Sequence, residues 1–387
     1  MQVLVTGAAG FIGRYVCDLL TRHGHAWVGI DSYEHQVHGD HPDYMPEERV
    51  FRSSLQNACV QKATDLWAVD AVIHLASAVG VAQSNDEIAR YVQRNVLDTA
   101  LLWERIRDNP RIKKVVVASS MSIYGEGSYL ADAGTGLHRP HYVRRHDPRP
   151  DHWDSFCLTE GNVSNYVDYL LPTLTHESIV PDPASVYALT KYDQERYSLM
   201  LGEMYGRETV ALRFFNTYGP KQSIGNPYTG VLAQFMNRAL NGADLIVNED
   251  GRQTRDFIYV EDVARAVVQA ATVNAGSGNI PAGVYNVCTG ERTSIIGLAG
   301  MFADIVQPRL PRPNVVVSQN YRAGDVRHCV GDNTRLRAYG WEPRVSLLEG
   351  VDRTAEWMQR QQPAPDLTDK ANAELLRYGK SLLRVNS

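Results

Sequence analysis

The sequence predicts an α/β protein built on a doubly wound parallel sheet. Short apolar runs at residues 2–6, 26–30, 70–75, 114–119 and 209–214 alternate with helical periodicity near 11–23, 86–107 and 187–205. A glycine-rich turn joins the first run to the first helical stretch. No self-similarity appears at the periods of solenoids or propellers.

The first strand is Gln2-Val3-Leu4-Val5-Thr6, and Tyr15, Val16, Leu19 and Leu20 mark the apolar face of the first helix. Between them lies Gly7-Ala8-Ala9-Gly10-Phe11-Ile12-Gly13. Glycine lets the backbone turn tightly and come close to a pyrophosphate, while the N–H groups and dipole of the helix start stabilise its negative charge. The spacing is GxxGxxG rather than GxGxxG. The second run, Ala26-Trp27-Val28-Gly29-Ile30, ends in Asp31, where a carboxylate accepts hydrogen bonds from both adenosine ribose hydroxyls. Read only as a strand-end cap, Asp31 is unremarked; in this context it points to NAD over NADP. Strand, glycine turn, helix and acidic strand end together predict a Rossmann-type NAD-binding domain.

Ser185-Val186-Tyr187-Ala188-Leu189-Thr190-Lys191 opens the helix at 187–205. Residues four apart on a helix share a face, so the Tyr187 phenol and Lys191 ammonium are neighbours. A free phenol titrates near ~10, too high for a base at neutral pH. A nearby ammonium and a cationic nicotinamide ring favour phenolate, so Tyr187 is expected to take a hydroxyl proton in carbonyl/alcohol redox chemistry. The bland alternative is a Tyr and a Lys sharing a helix face by chance.

Between Gly125 and Pro183 the chain is rich in His, Pro, Asp and Arg, as in Arg144-Arg145-His146-Asp147-Pro148-Arg149-Pro150. We read it as an insertion with functional or interface duties, and as a solvated polar loop rather than a metal site, since it has no HxxxH spacing. Gln362-Pro363-Ala364-Pro365-Asp366 reads as a linker, and Ala371, Leu375, Leu376, Tyr378, Leu382 and Leu383 outline an amphipathic helix or a frayed surface segment. The expected organisation is a cofactor domain at 1–215 with an insertion at 126–183 and a sheet completed from 255–290, an interleaved and smaller α/β substrate lobe at 216–362, and a tail at 363–387.

The 387 residues are 44% hydrophobic and 21% charged with a formal charge of -5, which suits a globular protein and offers no basic footprint for nucleic acid. No apolar run is long enough for a bilayer and the first strand follows Met1 directly, so a cytoplasmic location without a signal peptide is expected. Cys17, Cys59, Cys157, Cys288 and Cys329 form no CxxC pair, so reduced thiols and no metal are expected.

The glycine turn, Tyr187 to Lys191, Arg213-Phe214-Phe215-Asn216-Thr217-Tyr218-Gly219-Pro220 and Gln253-Thr254-Arg255-Asp256-Phe257-Ile258-Tyr259-Val260 occur in the order seen in extended short-chain dehydrogenases/reductases. Over residues 1–360 the chain resembles the nucleotide-sugar epimerases and dehydratases of that family. The resemblance implies that Ser120 completes a Ser-Tyr-Lys set. It places Phe11, Ile12, Ser54, Leu55, Leu75, Ala76, Ser77 and Asn95 along NAD, and Met121, Ser122, Asn216, Val231, Arg255, Arg322 and Asp325 along the substrate, with the two arginines on its diphosphate. Dehydratases of the family carry an Asp-Glu pair where this chain has Met121 and Ser122, which disfavours 4,6-dehydration. Ser54 stands in place of an adenine-contacting Asp, and Val79 in place of a Lys near the nicotinamide ribose. The blocks Gln36-Val37-His38-Gly39, Ser119 to Gly127 and Asn226 to Val231 resemble a subgroup acting on dTDP-L-rhamnose.

The implied reaction is 4-epimerisation of a dTDP- or UDP-linked hexose through a transient 4-keto sugar, with NAD as a reversible oxidant. A homodimer paired through helices 86–107 and 187–205 is also implied. A UDP-glucose/UDP-galactose 4-epimerase and an NAD(P)H-dependent 4-ketoreductase use the same triad, while a catalytically silent NAD-binding regulator would not need it intact.

Overall fold

Apolar runs buried on both sides need a sheet covered on both faces, and the chain supplies one. In the computed structural model, which describes residues 1–39, 44–60, 65–131, 137–138, 156–158, 166–226, 228, 230–272, 278–321, 325–366 and 383–384, the central sheet has seven strands. They include β1 (Gln2–Thr6), β2 (Ala26–Asp31), β3 (Val50–Arg52), β4 (Ala71–His74) and β5 (Lys114–Ser120). The strands Glu208–Phe214 and Gly283–Val287 complete it beyond β5, and every pairing is parallel. Across the sheet the order runs Gly283–Val287, Glu208–Phe214, β5, β4, β1, β2, β3. From β1 the chain winds outward to β3, then returns to β4 on the other side. That reversal opens a crevice at the carboxyl ends of β1 and β4.

One face of the sheet packs Val3, Val5, Ile73, Val116 and Leu212 against Val16 and Leu20 of the helix α1 (Phe11–Arg22) and Val263 and Val267 of the helix Val260–Ala271. The other face packs Leu4, Val72 and Val115 against Leu102, Trp103 and Ile106. A separate core of Phe235, Met236, Leu298, Phe302, Val351 and Met358 holds the C-terminal elements together. The expected helix at 86–107 is interrupted: Ile88–Tyr91 and Asp98–Ile106 flank a π-helical turn at Val92–Leu97, a feature frequent at functional sites. No helix among the described residues is long and apolar enough to cross a membrane. Cys17, Cys59, Cys288 and Cys329 are free thiols.

Two expectations are corrected. The insertion is not simply a polar loop, because Leu137–His138, Tyr129–Ala131, Tyr166–Pro172 and Phe156–Leu158 form, in that order, a four-stranded sheet with antiparallel pairings. Leu174–Thr175 then pairs with His328–Gly331. The polar run at 139–155 dominated the composition and hid the Tyr- and Leu-rich strand at 166–172; that run lies outside the described residues. Residues 362–366 are not a free linker, since Asn241 donates to the Ala364 carbonyl at 2.9 Å and Arg238 pairs with Asp366 at 2.7 Å. The helix outlined by residues 371–383 falls outside the described residues except for its end, where Leu383–Arg384 is extended and pairs antiparallel with Asn320–Tyr321.

Candidate active site

The glycine turn is built by close backbone approach. Gly7 has φ 71°, and a Cβ there would lie 2.9 Å from the Ala76 nitrogen. A Cβ on Gly13 would lie 2.1 Å from the Gly7 carbonyl oxygen, so α1 can start flush against the turn only with glycine at that position. Asp31, at the end of β2, accepts from Ala9 N–H at 2.9 Å and Tyr33 N–H at 2.8 Å, with His38 Nε2 at 3.5 Å. These contacts aim the carboxylate along the cleft edge. Glycine cradle, helix N-terminus and strand-end acid fit a dinucleotide.

One cleft of about 1490 Å³ runs from this turn across the sheet ends to the C-terminal core. It is lined by Gly7, Gly10, Phe11, Ile12, Gly13, Asp31, Leu55, Leu75, Ala76 and Ser77, then Ser120, Met121, Ser122, Tyr187 and Lys191, then Asn216, Val231, Arg255 and Asp325. Two expected cofactor residues stand back from it. Ser54 accepts from Asn57 N–H at 3.2 Å at the start of the helix Leu55–Val60, and its neighbour Ser53 lines the cleft instead. Asn95 is fully buried. Its carboxamide accepts from Ala78 N–H at 2.7 Å and donates to the Ala78 carbonyl at 3.1 Å, acting as a strand-like partner that holds the cleft loop. Arg322 lies outside the described residues.

Ser120 ends β5 and caps the tight turn Met121–Tyr124, accepting from Ser122 N–H at 3.2 Å and Ser122 Oγ at 2.8 Å. Tyr187 sits in the first turn of the helix Val186–Met204, capped by Ser185, and its N–H donates to Ser84 Oγ at 2.9 Å. Burial pushes the phenol up, and a hydrogen bond with the Ser120 side chain pulls it back. Among the described residues Lys191 makes no hydrogen bond to the Tyr187 phenol. The buried Lys191 ammonium instead donates to the Ala118 carbonyl and to Gln194 Oε1, each at 2.5 Å. Its pKa is pulled down to about 7 by burial, with Glu195 acting in the opposite sense.

At the far end, Arg255 Nη1 donates to the carbonyls of Thr254 at 2.9 Å and Arg327 at 3.1 Å, and Nη2 to that of Val326. The neighbouring Asp256, fully buried, accepts from Thr289 N–H and Oγ and Gly290 N–H, at 2.7–2.8 Å. Asn216 Oδ1, Gln222 Oε1 and Gln253 Oε1 are buried acceptors without a partner among the described residues, and all three side chains belong to cleft-lining residues. Such acceptors suit a ligand rich in hydroxyl or N–H donors.

The chain matches the model of the NAD dependent epimerase/dehydratase family over residues 3–142 and 168–288. The chain belongs to that family. A dTDP-L-rhamnose 4-epimerase of Burkholderia thailandensis is 30% identical over 373 residues, spanning 93% of this chain and 95% of its own length. A putative UDP-glucose 4-epimerase of Methanocaldococcus jannaschii is 27% identical, spanning 92% and 98%. Among solved structures, a Thermotoga maritima UDP-glucose 4-epimerase with UDP-glucose superposes with TM-score 0.72 at 27% identity, covering 93% of this chain and 99% of that one. A Thermus thermophilus UDP-glucose 4-epimerase complex with NAD gives 0.69 at 26%, covering 93% and 99%. This family member is an NAD-dependent nucleotide-sugar epimerase.

Sequence reasoning missed three groups in this epimerase. Gln36 Nε2 donates to Gln83 Oε1 at 2.8 Å and Asn226 Oδ1 at 3.3 Å, clasping two short helices, His35–His38 and Val81–Ser84, to the segment around Asn226 along the cleft. Trp357, Gln361, Ala364 and Pro365 wall its far end. Gln194 holds Lys191 from behind. No local pattern announces any of these, because each is defined by partners distant in the chain.

Proposed function

We propose that this epimerase interconverts dTDP-L-rhamnose and dTDP-6-deoxy-L-talose by inversion at C4, as a cytoplasmic homodimer that reuses one tightly held NAD. The observation that carries the reading is one continuous cleft, which joins the glycine cradle and Asp31 at one end to Arg255, Asn216 and Asp325 at the other, with Ser120, Tyr187 and Lys191 between. The dTDP-L-rhamnose 4-epimerase relative supports the sugar. So does an apolar rim of Val79, Val81 and Met121, which accommodates a C6 methyl without leaving a buried hydroxyl unpaired.

Bound NAD supplies a hydride acceptor that later serves as donor. Tyr187 takes the C4 hydroxyl proton and afterwards returns it, Ser120 directs that proton path, and Lys191 holds positive charge beneath both. Arg255, with Arg322, grips the diphosphate while the hexose turns over its link and presents the opposite face of C4. In this reading residues 1–215 carry the cofactor, residues 216–362 the substrate, and the insertion at 126–183 borders both.

The names of other relatives favour a second reading, UDP-glucose/UDP-galactose 4-epimerisation. Purified protein should be incubated separately with dTDP-L-rhamnose and UDP-galactose, without added cofactor, and the products assigned by NMR. Conversion of dTDP-L-rhamnose is the expected result. Conversion of UDP-galactose alone would transfer the assignment to the second reading, and a requirement for stoichiometric NAD(P)H would make the protein a ketoreductase.

A further inference from the structure

Behind Lys191 lies a buried chain of side chains that the proposed reaction does not itself use. Gln194 has no exposed surface, His74 is 1% exposed, and Thr6 and Thr99 are fully buried. Lys191 has only donors, so the Gln194 atom that faces it must be the carbonyl oxygen, Oε1. The Gln194 amide nitrogen therefore points the other way, donating to His74 Nε2 at 2.8 Å and Thr99 Oγ1 at 3.1 Å. With Nε2 accepting, the ring proton of His74 resides on Nδ1 and is donated to Thr6 Oγ1 at 2.7 Å. Thr6 Oγ1 in turn accepts from Ala76 N–H at 3.2 Å. Thr99 Oγ1 also lies 2.9 Å from His74 Nε2, but its hydroxyl proton goes to the Asn95 carbonyl at 2.6 Å, so Gln194 remains the donor to that ring nitrogen. Every polar atom of the Gln194 carboxamide is thereby spent in one orientation.

We propose that Gln194, oriented by a neutral His74 and by Thr99, is a positioning residue that keeps Lys191 an ammonium and fixes its direction. The Ala118 carbonyl and Gln194 Oε1 take two of its three N–H donors, which leaves the third for the cleft that Lys191 lines. A neutral amine would offer its lone pair to these oxygens, and Gln194 could not turn to donate without breaking its bonds to His74 and Thr99. The titratable groups acting on Lys191 are Glu195 from its own helix and His74 from β4, while β5 contributes the Ala118 carbonyl. Glu195 is itself engaged by Arg213 from the strand Glu208–Phe214 at 2.6 Å and by Ser119 at 2.6 Å, so Gln194 is the acceptor committed to Lys191. Burial pulls Lys191 down to about 7, and removing a charge-assisted acceptor adds to that pull.

The role of Lys191 in turnover rests on the function proposed above, but its titration can be read without any substrate. The ε-carbon of Lys191 should be followed by NMR in protein labelled with ¹³C-lysine, using Lys191→Arg for assignment, in the wild type, Gln194→Leu and Gln194→Glu. Gln194→Leu removes the acceptor, and Lys191 should titrate about one pH unit lower. Gln194→Glu places a carboxylate at the same site; His74 can follow by changing tautomer, and Lys191 should titrate higher. The alkaline limb of turnover should move down and up with the same variants. A merely structural Gln194 would lower the melting temperature in both without moving the titration in opposite directions, and that result, or an unmoved titration, overturns the proposal. If Gln194→Leu fails to fold, the upward shift in Gln194→Glu decides alone. Shifted titrations with no nucleotide-sugar turnover by the wild type would sustain this inference and count against the proposed reaction.

Discussion

At the residue scale the site combines a phenol and an amine that burial drives toward neutrality from opposite sides: Tyr187 upward, Lys191 down to about 7. Ser120 opposes the first tendency, while Glu195 electrostatically and Gln194 by its hydrogen bond oppose the second. Removing the Tyr187 hydroxyl tests the proton path most directly. Tyr187→Phe keeps the ring packed edge-on against Tyr91, with centroids 6.3 Å apart. Turnover should therefore fall by about 10²–10⁴-fold, while nucleotide-sugar affinity by calorimetry changes little; near-normal turnover would remove Tyr187 from its role. His74 makes a different prediction. Burial lowers it to about 3 in the folded protein, whereas the unfolded chain takes up that proton near ~6.5. Between these values the unfolded state binds more protons, so stability falls as pH falls through the window, by up to about 1.4 kcal/mol per pH unit. Chemical denaturation of wild type and His74→Asn across pH 7 to 4 should give a stability difference that shrinks with acid. A constant difference would mean that His74 is not buried neutral.

At the element scale, the segment at 361–365 deserves a role that its composition does not suggest. It closes the far end of the cleft and is tied to the helix Val231–Leu240 by Asn241 and Arg238. A Cβ on Gly225 would lie 3.1 Å from the Ala364 Cβ, so the wall already sits tightly against the opposite loop. Ala364→Phe should overfill it at a cost of about 1–3 kcal/mol. We expect KM for the nucleotide sugar to rise about tenfold with NAD content after denaturation unchanged. Loss of NAD instead would show that the segment supports the cofactor half. The glycine turn, by contrast, is legible from spacing alone, because backbone closeness at Gly7 and Gly13 requires the residue type that the sequence displays.

At the scale of the whole molecule, the helix Val186–Met204 presents Leu189, Tyr197, Met200 and Met204 to solvent at 51%, 39%, 48% and 64% exposure. The neighbouring segment adds Ile88, Val92 and Leu97 at 53%, 43% and 44%. The buried side of the first helix carries Tyr187, Lys191 and Gln194, so the exposed apolar side chains lie opposite the side that faces the cleft. Exposed apolar side chains on two neighbouring helical segments suit a partner helix pair, in line with the homodimer implied by the family resemblance. Sedimentation should report a dimer at micromolar concentration, and Leu189→Glu combined with Met200→Glu should give a monomer. A wild-type monomer, or a dimer indifferent to both changes, would place the interface elsewhere.

What the sequence determined by itself are the features whose physics is local. Strand and helix periods, the GxxGxxG turn, the acid ending β2 and the one-turn spacing of Tyr187 and Lys191 follow from neighbours in the chain, and they suffice for the sheet and the cofactor. Tertiary structure alone decided the features whose partners are remote. It set Asn95 behind the cofactor loop rather than beside the cleft, replaced Ser54 by Ser53 at the rim, and turned the Lys191 ammonium toward Ala118 and Gln194. It also brought Gln36, Gln83 and Asn226 into one clasp and folded residues 361–365 into a wall. A carboxamide or a carbonyl has no period and no spacing rule. Its meaning depends on which donor the folded chain carries to within about 3 Å, and only the packing of the whole chain supplies that donor.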